Sequence, residues 1–240
     1  MELIDACSRL LSHGGRTPRA VLLLHGYTLG PDQYDDLARD YFERGYNVWV
    51  PRAPHEVTVS SLTAYASEAL DTVAGLGDEV TVVGISGGAV LATWLAQTRG
   101  DAVRHLLLLS PFFGPAQVPA WAVRPLTFLY GRGLLPDRIT SRGYSLAAVT
   151  RYLTIVHRLP DPPRWTRLRS IAVAISETDG VVDPVAAVTV PRRIAEACGI
   201  RLLTWTLPSS LGVGHDTLAL TGSEAAGLRK RYIELSEGRP

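Results

Sequence analysis

A serine between glycines follows an apolar, β-branched run in the segment VTVVGISGGAVLATWLA at residues 80–96. Gly84, Ser86 and Gly88 form the pattern G-x-S-x-G, with a strand-like run before it and a helix-like run after it. In that context the pattern predicts a sharp turn that presents a nucleophilic serine. A serine in such a turn has a positive φ, so the residues two positions away must be small. The alternative is a glycine-rich turn without chemistry. A nucleotide-binding loop does not fit, because the glycine spacing and the lysine of such loops are missing.

A serine hydroxyl becomes a nucleophile only when a neighbouring base takes its proton. After a turn of this kind, an acid and then a histidine are expected along the chain. Of the six histidines, only His215 follows the last predicted strand, in the glycine-rich loop LGVGHDTLAL. The segment AISETDGVVDP offers Glu177, Asp179 and Asp183 as the acid. We favour Asp179, which lies just past a predicted strand in a Thr-Asp-Gly turn. Asp183 precedes a proline and is better placed to cap a helix, and it remains the alternative.

The negative oxygen that forms when a serine attacks a carbonyl needs two backbone N–H donors. The residue after the serine, Gly87, supplies one of them. The second is expected in the loop LLLHGYTLGPDQY, where the N–H of Tyr27 can point inward after the turn at His25 and Gly26. His25 itself is interpreted as a buried histidine that is hydrogen-bonded to its own turn and has no chemical role.

The elements that must hold these residues alternate along the chain. Short apolar runs rich in Val, Leu or Ile are typical of buried strands, and the longer amphipathic stretches between them are typical of helices. This alternation predicts an α/β fold whose mostly parallel sheet is covered by helices on both faces. The predicted strands span residues 20–24, 47–50, 80–83, 105–109, 171–175 and 201–206. The predicted helices span residues 33–44, 60–75, 89–98, 184–198 and 216–235.

One interval interrupts this alternation. Residues 111–168, 58 in all, separate two predicted strands and are rich in proline and aromatic residues. A structureless loop of that length is uncommon in a compact domain. The interval therefore predicts an inserted helical cap, whose clearest helix covers residues 144–159, on a core formed by residues 1–110 and 169–240. The alternative is a loose helical layer that simply continues the fold.

The composition argues against several other classes of protein. The 240 residues carry a formal net charge of +1 with the charges scattered along the chain. No face is expected to concentrate positive charge, which disfavours a nucleic-acid partner. No apolar run approaches the roughly 18 residues of a membrane span, so stable membrane insertion is not expected. Cys7 and Cys198 form no framework and are interpreted as reduced thiols, with a single disulfide as the alternative. The N-terminal segment also lacks the apolar core of a signal peptide. Together with the reduced thiols, this predicts a cytoplasmic protein.

With these motifs in place, the chain resembles the α/β-hydrolase superfamily, in particular bacterial carboxylesterases and monoacylglycerol lipases with small caps. The resemblance implies a mostly parallel central sheet flanked by helices, with a small helical cap inserted after the sixth strand of the family's sheet. The D-x-x-V-x-P spacing from Asp179 to Pro184 matches the family's acid turn and favours Asp179 over Asp183. The resemblance rests on five motifs in order: LLLHGYT (22–28), GYNVWVPRAP (45–54), VVGISGG (82–88), TDGVVDP (178–184) and GHDTL (214–218).

The chain departs from the pattern of those esterases at two places. It has Pro54, His55, Glu56 and Val57 where they usually carry Pro-Gly-His-Gly. His55 is therefore expected only to lie at the rim of the cleft, and no chemical role is assigned to it. The chain also has a glycine at position 87, where the family often has a bulkier residue. This glycine is expected to leave that side of the pocket roomier, or its N–H less firmly held.

The resemblance implies a serine hydrolase that cleaves carboxylic esters of short to medium acyl chains through an acyl-enzyme intermediate. Ser86, Asp179 and His215 would form its catalytic triad, and Tyr27 and Gly87 its oxyanion hole. No metal and no organic cofactor is implied, and the expected partner is a small-molecule ester. Thioesterase, C–C hydrolase and cofactor-free haloperoxidase chemistry can begin with the same triad. A non-catalytic member that binds a small ligand is the remaining alternative.

The interval 111–168 also suggests the acyl pocket. No arginine or lysine cluster is expected there for a charged head group, although Arg124, Arg132 and Arg138 lie in the interval. An apolar slot over Ser86 is expected instead. With His55 at the rim, the aromatic residues expected to line this slot are Phe112, Phe113, Trp121 and Phe128.

Overall fold

The computed structural model describes residues 7–140 and 143–239. Within these residues the strands are β1 (Arg9–Leu11), β2 (Thr17–Leu24), β3 (Asn47–Val50), β4 (Gly77–Ile85), β5 (Val103–Leu109), β6 (Ser170–Ser176) and β7 (Leu202–Leu207). They form one sheet in the order β1-β3-β2-β4-β5-β6-β7. The β1–β3 pair is antiparallel, and the other pairs are parallel. The predicted α/β fold with a mostly parallel sheet is confirmed.

The sheet is apolar on both faces. In β2, Ala20, Leu22 and Leu24 pack on one face, while Val21 and Leu23 pack on the other, and all five are buried. Because successive side chains of a strand point to opposite faces, a strand that is covered on both sides must be apolar at every position. This is the physical reason that the strand appears in the sequence as a continuous apolar run.

Helices cover both faces of the sheet. They are α1 (Asp35–Glu43), α2 (Val59–Leu76), α3 (Gly87–Thr98), α4 (Ala120–Gly131), α5 (Leu146–His157), α6 (Pro184–Cys198) and α7 (Ser223–Ser236). The apolar sides of α2, α3, α5 and α6 pack into the core on one face, and those of α1 and α7 pack on the other. None of the helices in the described residues is both long enough and apolar enough to cross a bilayer.

Most predicted elements differ from the observed ones by up to three residues at their ends, and two elements differ more. The sequence pattern does not indicate β1, because three partly exposed residues at the edge of the sheet make too short a pattern. The helix predicted over 216–235 begins only at Ser223. Before it, Oδ1 of Asp216 accepts the N–H of Leu218 in a turn, at 3.1 Å. Gly222 has a φ of +85°, a conformation that no α-helix continues.

Two helices lie in the interval between β5 and β6. Helix α5 falls inside the helix predicted over 144–159 and begins after Ser145, whose Oγ accepts the N–H of Ala148 at 3.0 Å. Tyr152 and Leu153 of α5 are buried in the same core as α3. Helix α4 packs mainly on α5, and Thr127 is its one buried residue. The described part of the interval therefore contains one helix that is built into the core and one helix outside it.

Candidate active site

The serine turn lies between β4 and α3. Ser86 has a φ of +55° and a ψ of −116°, so the predicted positive φ is present. For a residue with a side chain, a conformation of this kind costs on the order of 1–3 kcal/mol. Backbone crowding explains the flanking glycines. A Cβ at Gly88 would lie 2.0 Å from the carbonyl oxygen of Leu24, and one at Gly84 would lie 2.4 Å from that of Gly88.

Ser86, His215 and Asp179 lie in one hydrogen-bonded chain. Nε2 of His215 is 2.8 Å from Oγ of Ser86, and Nδ1 is 2.9 Å from Oδ2 of Asp179. An ionised carboxylate can only accept hydrogen bonds, so Nδ1 carries a proton and donates a hydrogen bond to Oδ2 of Asp179. Nε2 is then free to accept the proton of the serine hydroxyl. The fold brings these residues together because each follows the carboxyl end of a different strand: β4, β7 and β6.

The Asp179 carboxylate is fully buried, and both of its oxygens have donors. Oδ2 faces His215, while Oδ1 accepts the N–H groups of Val181 at 2.9 Å and Val182 at 3.3 Å. Burial by itself raises the pKa of this carboxyl. The hydrogen bond and charge of His215 and the Val181 N–H outweigh the burial, so the pKa of Asp179 lies below its ordinary value. The carboxylate is therefore ionised near neutral pH and can stabilise a cationic imidazole.

The two other candidate acids have different partners. Oδ1 of Asp183 accepts the N–H groups of Val185 at 2.9 Å and Ala186 at 3.4 Å, which caps α6 as its place before a proline predicts. Oε2 of Glu177 accepts the N–H of Ser209 at 2.8 Å. Neither carboxylate is hydrogen-bonded to the histidine.

Two backbone N–H groups are available beside the serine. Tyr27 and Gly87 both line the cavity next to Ser86. Gly87 is the first residue of α3, where an N–H has no acceptor within its own helix. Within the described residues, the N–H groups of Tyr27 and Gly87 make no hydrogen bond. They can therefore donate to an oxygen atom that binds at the serine.

Gln33 holds the loop that carries Tyr27. Its Oε1 accepts the N–H of Gly26 at 3.1 Å, and its Nε2 donates to Oδ1 of Asp216 at 3.1 Å. One side chain thus joins the Tyr27 loop to the loop of His215. Gln33 is not among the site residues predicted from the sequence. Gln33 and Asp216 are 183 positions apart, so no local pattern indicates the contact.

His25 lies in the turn in which the sequence analysis places it. Its Nδ1 donates to the carbonyl of Gly26 at 2.9 Å, and its Nε2 accepts the N–H of Ala53 at 3.0 Å. Burial lowers the pKa of His25, which keeps the ring neutral near pH 7. Both ring nitrogens are therefore used to hold two loops together.

A cavity of about 120 Å³ opens beside Ser86. The ring of Tyr152, from α5, lies against Gly87, where a Cβ would be 2.8 Å from Cε1 of the tyrosine. The glycine therefore does not make that side of the pocket roomier, because Tyr152 fills the space. The apolar side chains of the wall include Tyr27, Leu29, Ile85, Phe112, Val149 and Tyr152.

The structure corrects most of the predicted acyl pocket. Of the five residues, only Phe112 reaches the cavity. Phe113 is buried in the main core instead. Trp121 and Phe128 are 79% and 55% exposed, because they are two helical turns apart on the outer side of α4. His55 is exposed in the loop after β3. Aromatic composition alone does not show which side of a helix faces the site.

Other residues of the cavity were missed by the sequence analysis. Tyr144 and Val181 reach it from segments outside the helices and strands. Val149 and Tyr152 reach it from α5. These two residues are three positions apart within the predicted helix and so share one face. Their spacing was the available signal that this face is turned towards the site.

A second serine–histidine pair lies near the amino ends of the neighbouring strands β5 and β6, at the opposite end of the strands from Ser86. Nδ1 of His105 is 2.7 Å from Oγ of Ser170, at the beginning of β6. The Ser170 hydroxyl donates to the carbonyl of Ser236 at 2.8 Å, so it is not positioned to give its proton to the histidine. Binding crevices of parallel sheets lie at the carboxyl ends of the strands, where Ser86 is found. Across the described residues, no group of three or more His, Cys, Asp or Glu is arranged to hold a metal ion.

A sequence model of the alpha/beta hydrolase family matches residues 21–227 of the chain. The match covers most of the chain, which therefore belongs to the alpha/beta hydrolase family. The resemblance seen in the sequence motifs is confirmed at this level. A comparison with curated protein sequences finds no match.

Solved structures share this fold over nearly the whole chain. A metagenome-derived lipolytic enzyme has a TM-score of 0.69 at 18% identity, with 99% of this chain and 100% of that chain covered. The monoacylglycerol lipase of Paleococcus ferrophilus has a TM-score of 0.67 at 16% identity, with 95% and 99% covered. A candidate non-heme bromoperoxidase of Mycobacterium tuberculosis has a TM-score of 0.64 at 12% identity, with 99% and 97% covered. At these identities the likeness shows the fold alone.

Proposed function

We propose that the protein is a serine esterase that hydrolyses carboxylic esters of short to medium acyl chains. The observation that carries this proposal is the hydrogen-bonded chain from Ser86 through His215 to Asp179, beside a small apolar cavity. Membership of the alpha/beta hydrolase family supports it. The names of two proteins with the same fold, a lipolytic enzyme and a monoacylglycerol lipase, point in the same direction.

In the first half of the reaction, Oγ of Ser86 attacks the carbonyl carbon of the ester. The proton of the hydroxyl moves to Nε2 of His215, and the ionised Asp179 stabilises the imidazolium that forms. The carbonyl oxygen becomes an oxyanion, which accepts hydrogen bonds from the N–H groups of Tyr27 and Gly87. Each such donor contributes about 3 kcal/mol to the stability of the transition state. The bond to the alcohol oxygen then breaks, and the imidazolium gives its proton to that oxygen.

In the second half, water takes the place of the alcohol. Nε2 of His215 accepts a proton from the water while the oxygen attacks the acyl carbon. The second tetrahedral intermediate breaks its bond to Oγ of Ser86, which regains its proton from the imidazolium. The products are a carboxylic acid and the free enzyme. These steps require neither a metal ion nor an organic cofactor.

We place the acyl chain in the cavity beside the serine, and we propose that residues 111–168 act as a cap over the core formed by 1–110 and 169–240. The support for the cap is that α5, within this interval, contributes Val149 and Tyr152 to the cavity wall. A cavity of about 120 Å³ suits short acyl groups. Acetyl and butyryl esters are therefore expected to react faster than octanoyl and palmitoyl esters.

Cofactor-free haloperoxidase chemistry is the second candidate. It begins with the same acyl-enzyme at Ser86. The observation in its favour is the fold shared with a candidate non-heme bromoperoxidase. An assay with acetate, hydrogen peroxide, bromide and an organic bromine acceptor separates the two functions. Attack of peroxide on the acyl-enzyme gives peracetic acid, which oxidises bromide so that the acceptor is brominated, whereas hydrolysis of the acyl-enzyme gives no brominated product.

The test of the proposed function is hydrolysis of p-nitrophenyl acetate, butyrate, octanoate and palmitate by the wild type and by Ser86→Ala. The variant is expected to lose at least about 10⁴-fold in kcat, because the nucleophile is missing. Ser210→Ala is the matched control, since this serine is exposed and lies outside the cavity.

A fluorophosphonate probe provides a test that does not depend on the choice of ester. It should label the wild type and the Ser210→Ala control, but not Ser86→Ala. If Ser86→Ala hydrolyses esters at the rate of the wild type, or is labelled equally, Ser86 is not the nucleophile. If the probe labels Ser86 and all four esters are inert, the nucleophile stands and the substrate class is wrong.

A further inference from the structure

The interval between β5 and β6 carries an excess of positive charge. Residues 119–160 contain six arginines and a single acidic residue, Asp137, although the net charge of the whole chain is only +1. The fold brings four of these arginines to one cleft of about 340 Å³ between α4 and α5. The expectation that no face concentrates positive charge is therefore wrong for this face. The four arginines are Arg124, Arg132, Arg151 and Arg158.

Acidic side chains do not balance the charge of this arginine cleft. In residues 7–140 and 143–239, no Asp or Glu lines it, and none forms an ion pair with the four arginines. The carboxylate of Asp137 instead accepts the hydroxyl of Ser145. Burial and the positive charge of Arg124 lower the pKa of His157, which lines the same cleft. The field in the cleft therefore favours an anion.

Helix geometry accounts for two of the arginines but not for the others. Arg132 and Arg158 directly follow α4 and α5, where a cation balances the negative end of the helix dipole. Arg124 and Arg151 lie inside the helices and have no such counter-charge. Nη1 of Arg151 donates to the carbonyl of Gly131, which holds the guanidinium in place. Its remaining N–H groups have no partner among the described residues, and Arg151 lines the cleft.

Thr127 lines the same cleft and is 4% exposed. Its hydroxyl has no hydrogen-bond partner among the described residues. A buried hydroxyl without a partner costs about 1–3 kcal/mol, so Thr127 leaves a free donor at the cleft. Five other threonines of the described helices donate to the carbonyl four residues earlier, and Thr150 donates to the carbonyl of Ala147, three residues earlier. The five are Thr63, Thr72, Thr93, Thr98 and Thr154.

We infer that the arginine cleft binds a phosphate group. Guanidinium groups form paired N–H bonds to phosphate oxygens, and several guanidinium groups balance a dianion better than they balance a single carboxylate. The cleft lies on the opposite side of α5 from the catalytic cavity. Val149 and Tyr152 line the cavity, whereas Arg151 and Thr154 line the cleft. The phosphate is therefore a second ligand, separate from the ester of the proposed function.

The test is calorimetric titration of the full chain with inorganic phosphate, at constant ionic strength and near neutral pH. The wild type is expected to bind phosphate saturably, and to bind acetate at least about tenfold more weakly. The double variant Arg124→Gln/Arg158→Gln should bind phosphate at least about tenfold more weakly than the wild type, because two charged donors are lost. Arg192→Gln is the matched control, since it removes an exposed arginine of α6 outside the cleft.

Thr127→Val tests the unpaired hydroxyl with little change of shape. Phosphate binding is expected to weaken severalfold, while the Tm stays at or above that of the wild type because no hydrogen bond is lost. Equal phosphate affinity in Thr127→Val and the wild type would remove Thr127 from the site. Equal affinity in the double arginine variant and in Arg192→Gln would overturn the site as a whole.

The source of the phosphate is decided by flotation with vesicles of phosphatidylcholine, with or without phosphatidic acid. Binding that requires phosphatidic acid and the two arginines identifies a lipid headgroup. Saturable binding of free phosphate without vesicle binding identifies a soluble phosphate ester. If the wild type does not bind phosphate saturably, the inference is overturned. None of these measurements depends on ester hydrolysis, so the result is independent of the proposed function.

Discussion

Two aspartates of the segment TDGVVDP lie four residues apart and have different partners. Asp179 follows β6 in a turn that aims one oxygen at His215 and the other at backbone N–H groups. Asp183 is the residue before α6, and its carboxylate accepts the first free N–H groups of that helix. Position relative to the neighbouring element thus decides which carboxylate can act on the histidine. Replacement of Asp179 should therefore lower the catalytic rate, whereas replacement of Asp183 should lower the stability of the fold.

Asp179→Asn is expected to lower kcat for p-nitrophenyl butyrate by on the order of 10⁴-fold, because the amide no longer holds the imidazole in the required tautomer. Asp183→Ala should leave kcat near that of the wild type and lower the free energy of unfolding by about 1 kcal/mol, as the loss of a helix cap does. Initial rates and urea unfolding measure the two effects. A large loss of kcat confined to Asp183→Ala would contradict the assignment of Asp179.

At the scale of elements, the unit formed by β4, the serine turn and α3 depends on close backbone contacts. A glycine-to-alanine change inside a helix normally stabilises a protein by about 0.5–1 kcal/mol. Gly75→Ala in α2 should show this gain, since no atom lies within 4 Å of the added Cβ. Gly88→Ala should instead cost roughly 3 kcal/mol or more, because the Cβ meets the backbone of Leu24 and His25. Urea unfolding of both variants measures whether the free energy of unfolding rises or falls. A Gly88→Ala protein as stable as the wild type would rule out the close contact of residue 88 with the backbone of Leu24 and His25.

The two loops beside the serine are also coupled, through Gln33. Gln33→Glu should lower kcat by roughly tenfold to a hundredfold with little change in KM, because a second carboxylate repels Asp216 and shifts both loops. Asp216→Asn in the same chain supplies an amide that can donate to the introduced carboxylate. The double variant is therefore expected to recover most of the lost kcat, which steady-state kinetics on all three variants would measure. If Gln33→Glu keeps the wild-type kcat, the Gln33 bridge does not position the site.

At the scale of the whole molecule, the buried Asp179 couples folding to pH. Its pKa is lower in the folded protein than in the unfolded chain, so its contribution to stability is present above the unfolded pKa of about 4. That contribution is lost as the pH falls through the folded pKa. Between pH of about 6 and about 3, the free energy of unfolding should therefore fall more in the wild type than in Asp179→Asn. Urea unfolding of both proteins at both pH values tests this. An equal decrease in the free energy of unfolding in the two proteins would show that the pKa of Asp179 is not lowered by folding.

Burial and close backbone contacts in the whole fold explain which predictions from the sequence are confirmed. Strand β2 was recognisable because burial on both faces requires a continuous apolar run. The turn at Ser86 was recognisable because close backbone contacts on both sides require glycine. Edge strand β1 was not, since three partly exposed residues carry no such requirement. The beginning of α7 was also missed, because the turn at Asp216 and the positive φ of Gly222 override a helix-like pattern.

By itself, the sequence determined the alternation of helices with the strands β2 to β7, the serine turn, and the sequential order of Ser86, Asp179 and His215. These features depend on local burial, glycine requirements and turn chemistry, which neighbouring residues carry. Only the tertiary structure decided that Tyr152 rather than Trp121 faces the cavity, and that four scattered arginines share one cleft. The physical reason is that a helix pattern encodes which face is apolar, whereas the neighbour of each face is set by packing between residues far apart in the chain.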